Sequence, residues 1–112
     1  MKKCYIAGAL NGMSVDYIKN LHAMGVWSEC VRSLGFSVFV PGVDFLLGFL
    51  HGNWGYSDYF DNSQPWLKVA DCLFVCPGYE ESTGTKIEIN TAERNRIPIF
   101  YDLPSLREFK NK

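Results

Sequence analysis

The segment that specifies the fold runs from residue 71 to residue 95 and reads DCLFVCPGYEESTGTKIEINTAERN. Its first part, residues 72–76, is a short apolar run that predicts a buried β-strand. Pro77 and Gly78 end that run, and Ser82 is a preferred residue type for the N-cap of a following helix. A buried strand, a turn and a helix in this order are typical of one repeat of an α/β protein.

The same pattern recurs on both sides of this segment. Strands are expected at 3–7, 36–40, 72–76 and 97–101, and helices at 14–34, 64–70, 82–95 and 103–110. Apolar residues in the first helix recur in steps of three and four, which is the spacing of one helical stripe, and Gly35 is suited to end it. Strands alternating with helices predict a three-layer α/β domain, Rossmann-like or flavodoxin-like, with a parallel sheet of four or five strands.

Length and composition exclude several classes of protein. The chain has 112 residues, which fit one domain spanning 1–112, and 47% of them are hydrophobic, which is typical of a globular fold. The net charge is −1 and no basic stripe occurs, so long nucleic acid is not an expected partner. No apolar run is long enough for a membrane-spanning helix. Because no export signal is recognisable, we expect a cytoplasmic protein.

The cysteines and histidines do not form a metal-binding pattern. No C-x-x-C pair occurs among the four cysteines, and Cys72 and Cys76 fall on one face of a predicted strand, where buried reduced thiols are expected. His22 and His51 have no cysteine or acidic neighbour at metal-ligand spacing. The sequence therefore predicts neither a metal site nor a cofactor.

Candidate ligand-binding residues follow the first and third strands. In parallel α/β sheets, ligands bind beyond the carboxyl ends of the strands. Gly8, Asn11 and Gly12 follow the first strand and favour a tight turn with close approach to a ligand. Ser82 and Gly84 begin the helix after the third strand, where free N–H groups bind a hydroxyl or phosphate oxygen.

Two regions have more than one interpretation. Glu88 is either a solvated helix carboxylate or a site residue, and its apolar neighbours Ile87, Ile89 and Ala92 favour the second. The segment 44–66 interleaves aromatic residues with glycines and is too irregular to predict a single helix. Its aromatic residues suit a core or a subunit interface better than a base-stacking wall, and we expect a homodimer or a larger homo-oligomer.

Four motifs in a fixed order resemble the nucleoside 2-deoxyribosyltransferase superfamily, which includes deoxynucleoside 5′-monophosphate N-glycosidases. They are YIAG at 5–8, WLKVAD at 66–71, PGYE at 77–80 and STGTKIE at 82–88. The resemblance implies transfer or hydrolysis at the N-glycosidic bond of a deoxynucleoside or its 5′-monophosphate, without a cofactor. It also implies roles for individual residues: Glu88 is the nucleophile, Tyr5 positions it, Ser82 holds the sugar 5′ group and Gly8 lines the pocket.

Two positions depart from the family pattern. Ser63 stands where many members have an aspartate that contributes to the base and sugar site. Asp61 and Asp58 lie close enough in sequence to substitute for it, so Ser63 and Asp61 are counted among the substrate-binding candidates. Asn11 stands where the monophosphate hydrolases have an arginine. Two alternatives to catalysis therefore stay open, a module that binds a nucleoside or nucleotide without turnover and an oligomeric scaffold.

Overall fold

The structure, a computed structural model, describes residues 1–9 and 14–112, with only the backbone at residues 14–16, 43, 45, 46, 49 and 56. The strands are β1 Lys3–Ala7, β2 Ser37–Phe39, β3 Cys72–Val75 and β4 Ile99–Phe100. The helices are α1 Ser14–Ser33, α2 Phe45–His51, α3 Tyr56–Lys68, α4 Thr83–Arg94 and α5 Leu103–Lys110, and a 3-10 turn spans Pro41–Asp44. The alternation of strands and helices confirms the predicted α/β class.

The four strands form one parallel sheet in the order β2-β1-β3-β4. Tyr5 of β1 lies in register with Phe39 of β2 on one side and with Leu73 of β3 on the other. The chain leaves β1 towards one edge of the sheet and returns beside β1 as β3, so the strand order reverses between these two strands. Parallel sheets open a crevice at such a reversal, beyond the carboxyl ends of the strands.

Alternate side chains of the strands pack into two cores, one on each face of the sheet. On one face, Ile6 and Phe74 are buried against Met24 of α1 and Leu106 of α5. On the other face, Leu73 is packed with Leu67 of α3 and with Ala92 of α4 in a second cluster, which also includes Tyr5, Ala7 and Val75. Helices therefore cover both faces, and the three-layer prediction is confirmed.

The largest difference from the sequence prediction concerns α3, which begins at Tyr56 and not near Gln64. Proline favours the first turn of a helix, so Pro65 made a late start plausible, yet the structure holds it inside the helix. The real start is capped at Gly55, whose N–H donates to Asp58 Oδ2 at 2.7 Å. A capping box whose first residue is glycine offers no side-chain signal in the sequence.

Strands β2 and β4 are shorter than the expected runs 36–40 and 97–101, whereas the predictions for Gly35 and for the cysteines agree with the structure. Gly35 ends α1 with a φ of 104°, a left-handed conformation that suits glycine. Cys72 and Cys76 are buried in the same core cluster, and burial raises the pKa of the Cys76 thiol to about 12. Asp71, directly before β3, ties that strand to β1, because its Oδ2 accepts the N–H of Lys3 at 2.6 Å.

None of the helices in the described part of the chain is both long enough and apolar enough to cross a bilayer.

Candidate active site

A cavity of about 780 Å³ lies at the carboxyl edge of the sheet. Its wall includes Gly8 after β1, Pro41 and Gly42 after β2, and the start of α4 after β3. The other wall residues come from α1, α3 and the segment between β2 and α3; they are Tyr17, Asp44, Trp54, Gly55, Tyr59, Phe60, Ser63 and Gln64. The cavity thus occupies the crevice that the strand order creates.

Tyr5 lies behind the cavity wall and bonds directly to Glu88, which lines the cavity. The Tyr5 phenol donates to Glu88 Oε2 at 2.5 Å, joining β1 to the second turn of α4. Tyr5 is fully buried, and its ring stacks on Phe39 with 5.5 Å between centroids. Phe39 in turn stacks on Trp66 at 5.4 Å. This aromatic stack fixes the phenol, and the phenol fixes one oxygen of the carboxylate.

The surroundings of Glu88 raise the pKa of its carboxyl group towards neutral pH. Burial raises the pKa of this carboxyl to about 7, with a smaller upward contribution from Asp44 and a downward one from the Tyr5 hydrogen bond. Burial, followed by the Glu88 charge, raises the pKa of Tyr5, so the phenol stays protonated and remains the donor. A carboxylate with a pKa close to the working pH, held by a fixed donor, is an arrangement suited to catalysis.

The start of α4 forms a second polar wall. Ser82 is buried and caps the helix, accepting hydrogen bonds from Thr85 N at 3.2 Å and Thr85 Oγ1 at 2.9 Å. Its own hydroxyl hydrogen is therefore available to a ligand. Thr83 and Gly84 occupy the first turn and line the cavity, and first-turn N–H groups have no acceptor within their helix. This wall can hold a hydroxyl group of a ligand.

The side of the cavity formed by α3 carries aromatic and amide groups. Phe60 and Gln64 are four residues apart and so share one face of α3. Trp54 packs edge-on against Tyr59, with 5.1 Å between ring centroids. Ser63 is buried, its Oγ donates to the Phe60 carbonyl at 3.4 Å, and its side chain has a lowering effect on the pKa of Tyr5.

Sequence reasoning missed Asp44 and Gln64 as cavity residues. Asp44 lines the cavity, accepts a hydrogen bond from Asn62 Nδ2 at 3.3 Å, and has its pKa raised mainly by burial. Asp44 lies a few residues beyond the carboxyl end of β2, where ligands bind in parallel sheets, and this position could have indicated it as a site residue. No feature of the sequence indicated that Gln64 lines a cavity. Helix α3 was expected to begin at this residue, so its position on one face of a longer helix was not foreseen.

The structure brings most of the predicted site residues together, but not all. Five of them line the cavity: Gly8, Ser63, Ser82, Gly84 and Glu88. Tyr5 does not line it but bonds to Glu88 from the buried side. Asp61 is exposed and does not line it. Asn11 and Gly12 lie outside the described residues.

Gly8 is placed where a side chain would be crowded by its neighbours. A Cβ added to it would lie 3.1 Å from Cys76 Cβ and 3.2 Å from Met24 Cε. The glycine therefore lets the end of β1 approach the neighbouring strand closely at the floor of the cavity.

Among the described residues, no group of three or more histidine, cysteine or acidic side chains is arranged to hold a metal ion.

Comparison with curated proteins and with solved structures finds no match. Comparison with protein families does: residues 2–101 match the family described as a domain of unknown function, DUF4406. The match spans the sheet, α1 to α4 and every residue of the cavity wall. The chain therefore belongs to the DUF4406 family.

Proposed function

We propose that the protein breaks the N-glycosidic bond of a deoxynucleoside, with Glu88 as the nucleophile, and transfers the sugar to water or to a second base. The observation that supports this most strongly is that Glu88, held by the Tyr5 hydrogen bond, lines a cavity large enough for a nucleoside. A retaining glycosidic reaction needs a positioned carboxylate beside the anomeric carbon, and this pair supplies one.

In the proposed reaction, a Glu88 oxygen attacks the anomeric carbon as the carbon–nitrogen bond breaks. The base leaves with the bonding electron pair and takes up a proton from solvent, which is returned when water or the N–H of a second base loses a proton in the next step. The resulting glycosyl ester is then attacked by water or a second base, which restores the carboxylate and gives net retention. Tyr5 holds one carboxylate oxygen still, while Ser82 and the first turn of α4 hold the 5′ end of the sugar.

The charge of the cavity favours an uncharged nucleoside over a 5′-monophosphate. Asp44 and Glu88 both line it, whereas no lysine, arginine or histidine occurs among its described wall residues. Residues 10–13 follow β1 and read LNGM, so they add no cation. Two carboxylates raise the free energy of placing a phosphate dianion nearby.

A thermal-shift panel of deoxynucleosides and their 5′-monophosphates, followed by chromatography of each hit, tests this proposal. We expect stabilisation by at least one deoxynucleoside, a smaller shift with its monophosphate, and release of free base. Adding a second base to the reaction distinguishes transfer from hydrolysis. Binding without base release would favour the non-catalytic alternative, and no binding would contradict the proposal.

Asp44 is proposed as the second carboxylate of the reaction, in place of the family aspartate that Ser63 replaces. We expect Asp44→Asn to lower turnover by about 10–100-fold, because the cavity loses a carboxylate that stabilises the positive charge developing on the sugar. Loss of the Asp44 charge also lowers the pKa of Glu88, so the acid limb of the pH–rate profile should move to lower pH. Asp61→Asn is the matched control, since Asp61 is exposed and outside the cavity wall. Equal losses in both variants would contradict this role.

A homo-oligomer is also proposed, because large apolar side chains in α2, in α3 and directly after α3 are exposed. Leu50 is 71% exposed, Trp66 54% and Val69 62%. Burying them between subunits removes apolar surface from water. Light scattering at micromolar concentration should give at least twice the chain mass of 12.7 kDa, and Trp66→Glu should lower that mass. A monomer at that concentration would contradict the proposal.

A further inference from the structure

Gln64 has a buried amide group that the fold itself does not satisfy. The residue is 8% exposed, and its Nε2 has no hydrogen-bond partner in the described part of the chain. Most buried polar groups in folded proteins are paired, so an unpaired donor requires a reason. A bound ligand that supplies the missing acceptor is one such reason.

The position of Gln64 limits where that acceptor comes from. Its side chain lines the 780 Å³ cavity and also a smaller one of about 330 Å³. The smaller cavity lies between α3 and α4, and its other wall residues are Phe60, Lys68, Thr91, Arg94 and Asn95. Lys68 and Arg94 would be the stronger donors for an acceptor in that space. In the larger cavity, no lysine or arginine of the described wall competes with Gln64.

The remaining groups of the larger cavity suggest which part of a ligand reaches Gln64. Glu88 and the start of α4 are assigned to the sugar, so α3 is left to contact the base. Phe60, on the same face of α3 as Gln64, and Tyr59 offer aromatic surface to a planar ring. The edge of every nucleobase carries carbonyl oxygens or ring nitrogens that accept hydrogen bonds.

We propose that Gln64 Nε2 donates a hydrogen bond to an acceptor on the edge of the bound base and thereby selects among bases. This inference rests on the proposed nucleoside chemistry. A site built to hydrogen-bond a substrate group discriminates against analogues that lack it, because its own buried group is then left unpaired. Gln64 is in this respect a specificity-determining residue that takes no part in the proton transfers.

The test measures calorimetric Kd values for thymidine, deoxycytidine, deoxyadenosine and deoxyguanosine. The parent protein carries Glu88→Gln, so that no nucleoside is consumed, and each further change is added to it. Gln64→Leu should weaken binding of the preferred base about ten-fold and flatten the order among the four bases. Gln64→Glu should weaken it more, because a carboxylate presents acceptors only. Lys68→Leu, which alters the smaller cavity alone, should leave every Kd unchanged.

Thermal melting separates recognition from a structural role. Gln64→Leu and Gln64→Met should keep or raise Tm, because they remove an unpaired polar group from the interior. A lowered Tm in both variants would mean that the amide already has a structural partner, and would overturn the inference. Unchanged Kd values in Gln64→Leu, or equal losses in Lys68→Leu, would overturn it as well. If the parent bound none of the four nucleosides, both the inference and the proposed function would fail.

Discussion

Glu88→Gln should abolish base release, with turnover reduced by about 10³-fold or more, while nucleoside affinity stays within a few-fold. The amide keeps the shape of the side chain and still accepts the Tyr5 hydrogen bond through its oxygen. It lacks the negative charge that attacks the anomeric carbon and stabilises the oxocarbenium-like transition state. Chromatography of the free base measures turnover, and calorimetry measures affinity.

The matched control is Glu93→Gln on the same helix. Glu93 is exposed, and it does not line the cavity. We expect its turnover to equal that of the unmodified protein. Full activity in Glu88→Gln would reject the nucleophile and with it the proposed mechanism, while leaving the α/β fold unaffected.

Tyr5→Phe should shift the pH dependence of turnover and lower its maximum. The phenol hydrogen bond lowers the pKa of Glu88, which burial raises to about 7. Removing the phenol therefore raises that pKa further, and a smaller fraction of the carboxylate is ionised at neutral pH. We expect the acid limb to move up by about one pH unit and the plateau rate to fall about ten-fold, since one carboxylate oxygen is no longer held.

Tyr79→Phe is the control for loss of a phenol. Tyr79 packs beside Tyr101, with 5.7 Å between centroids, and is absent from the cavity wall. Its pH–rate profile should match that of the unmodified protein. A profile for Tyr5→Phe that kept its midpoint would show that the phenol does not control ionisation of the nucleophile.

The sheet and most helices could be predicted because their signals are local. Each strand is a short apolar run between turn residues. Gly35 marks the end of α1 because the backbone there has a positive φ, which favours glycine. The start of α3 could not be predicted, since Gly55 caps it without a side chain.

The candidate site was accessible to sequence reasoning only where a motif or a strand end marked it. Tyr5 and Glu88 are 83 positions apart, and only the family resemblance linked them before the structure paired them. Asp44 and Gln64 were missed because their burial depends on how the segment after β2 folds over the sheet. Asp61 was favoured for its nearness in sequence, but the turn of α3 leaves it in solvent.

The most direct test of Glu88 as the nucleophile is mass spectrometry of acid-quenched protein during turnover of a deoxynucleoside. Trypsin cleaves after Lys86 and Arg94, so residues 87–94 form one peptide that contains Glu88. We predict that this peptide gains the mass of one deoxyribosyl group, that fragmentation places the gain on Glu88, and that Glu88→Gln lacks it. Base release without any gain on this peptide would contradict the account.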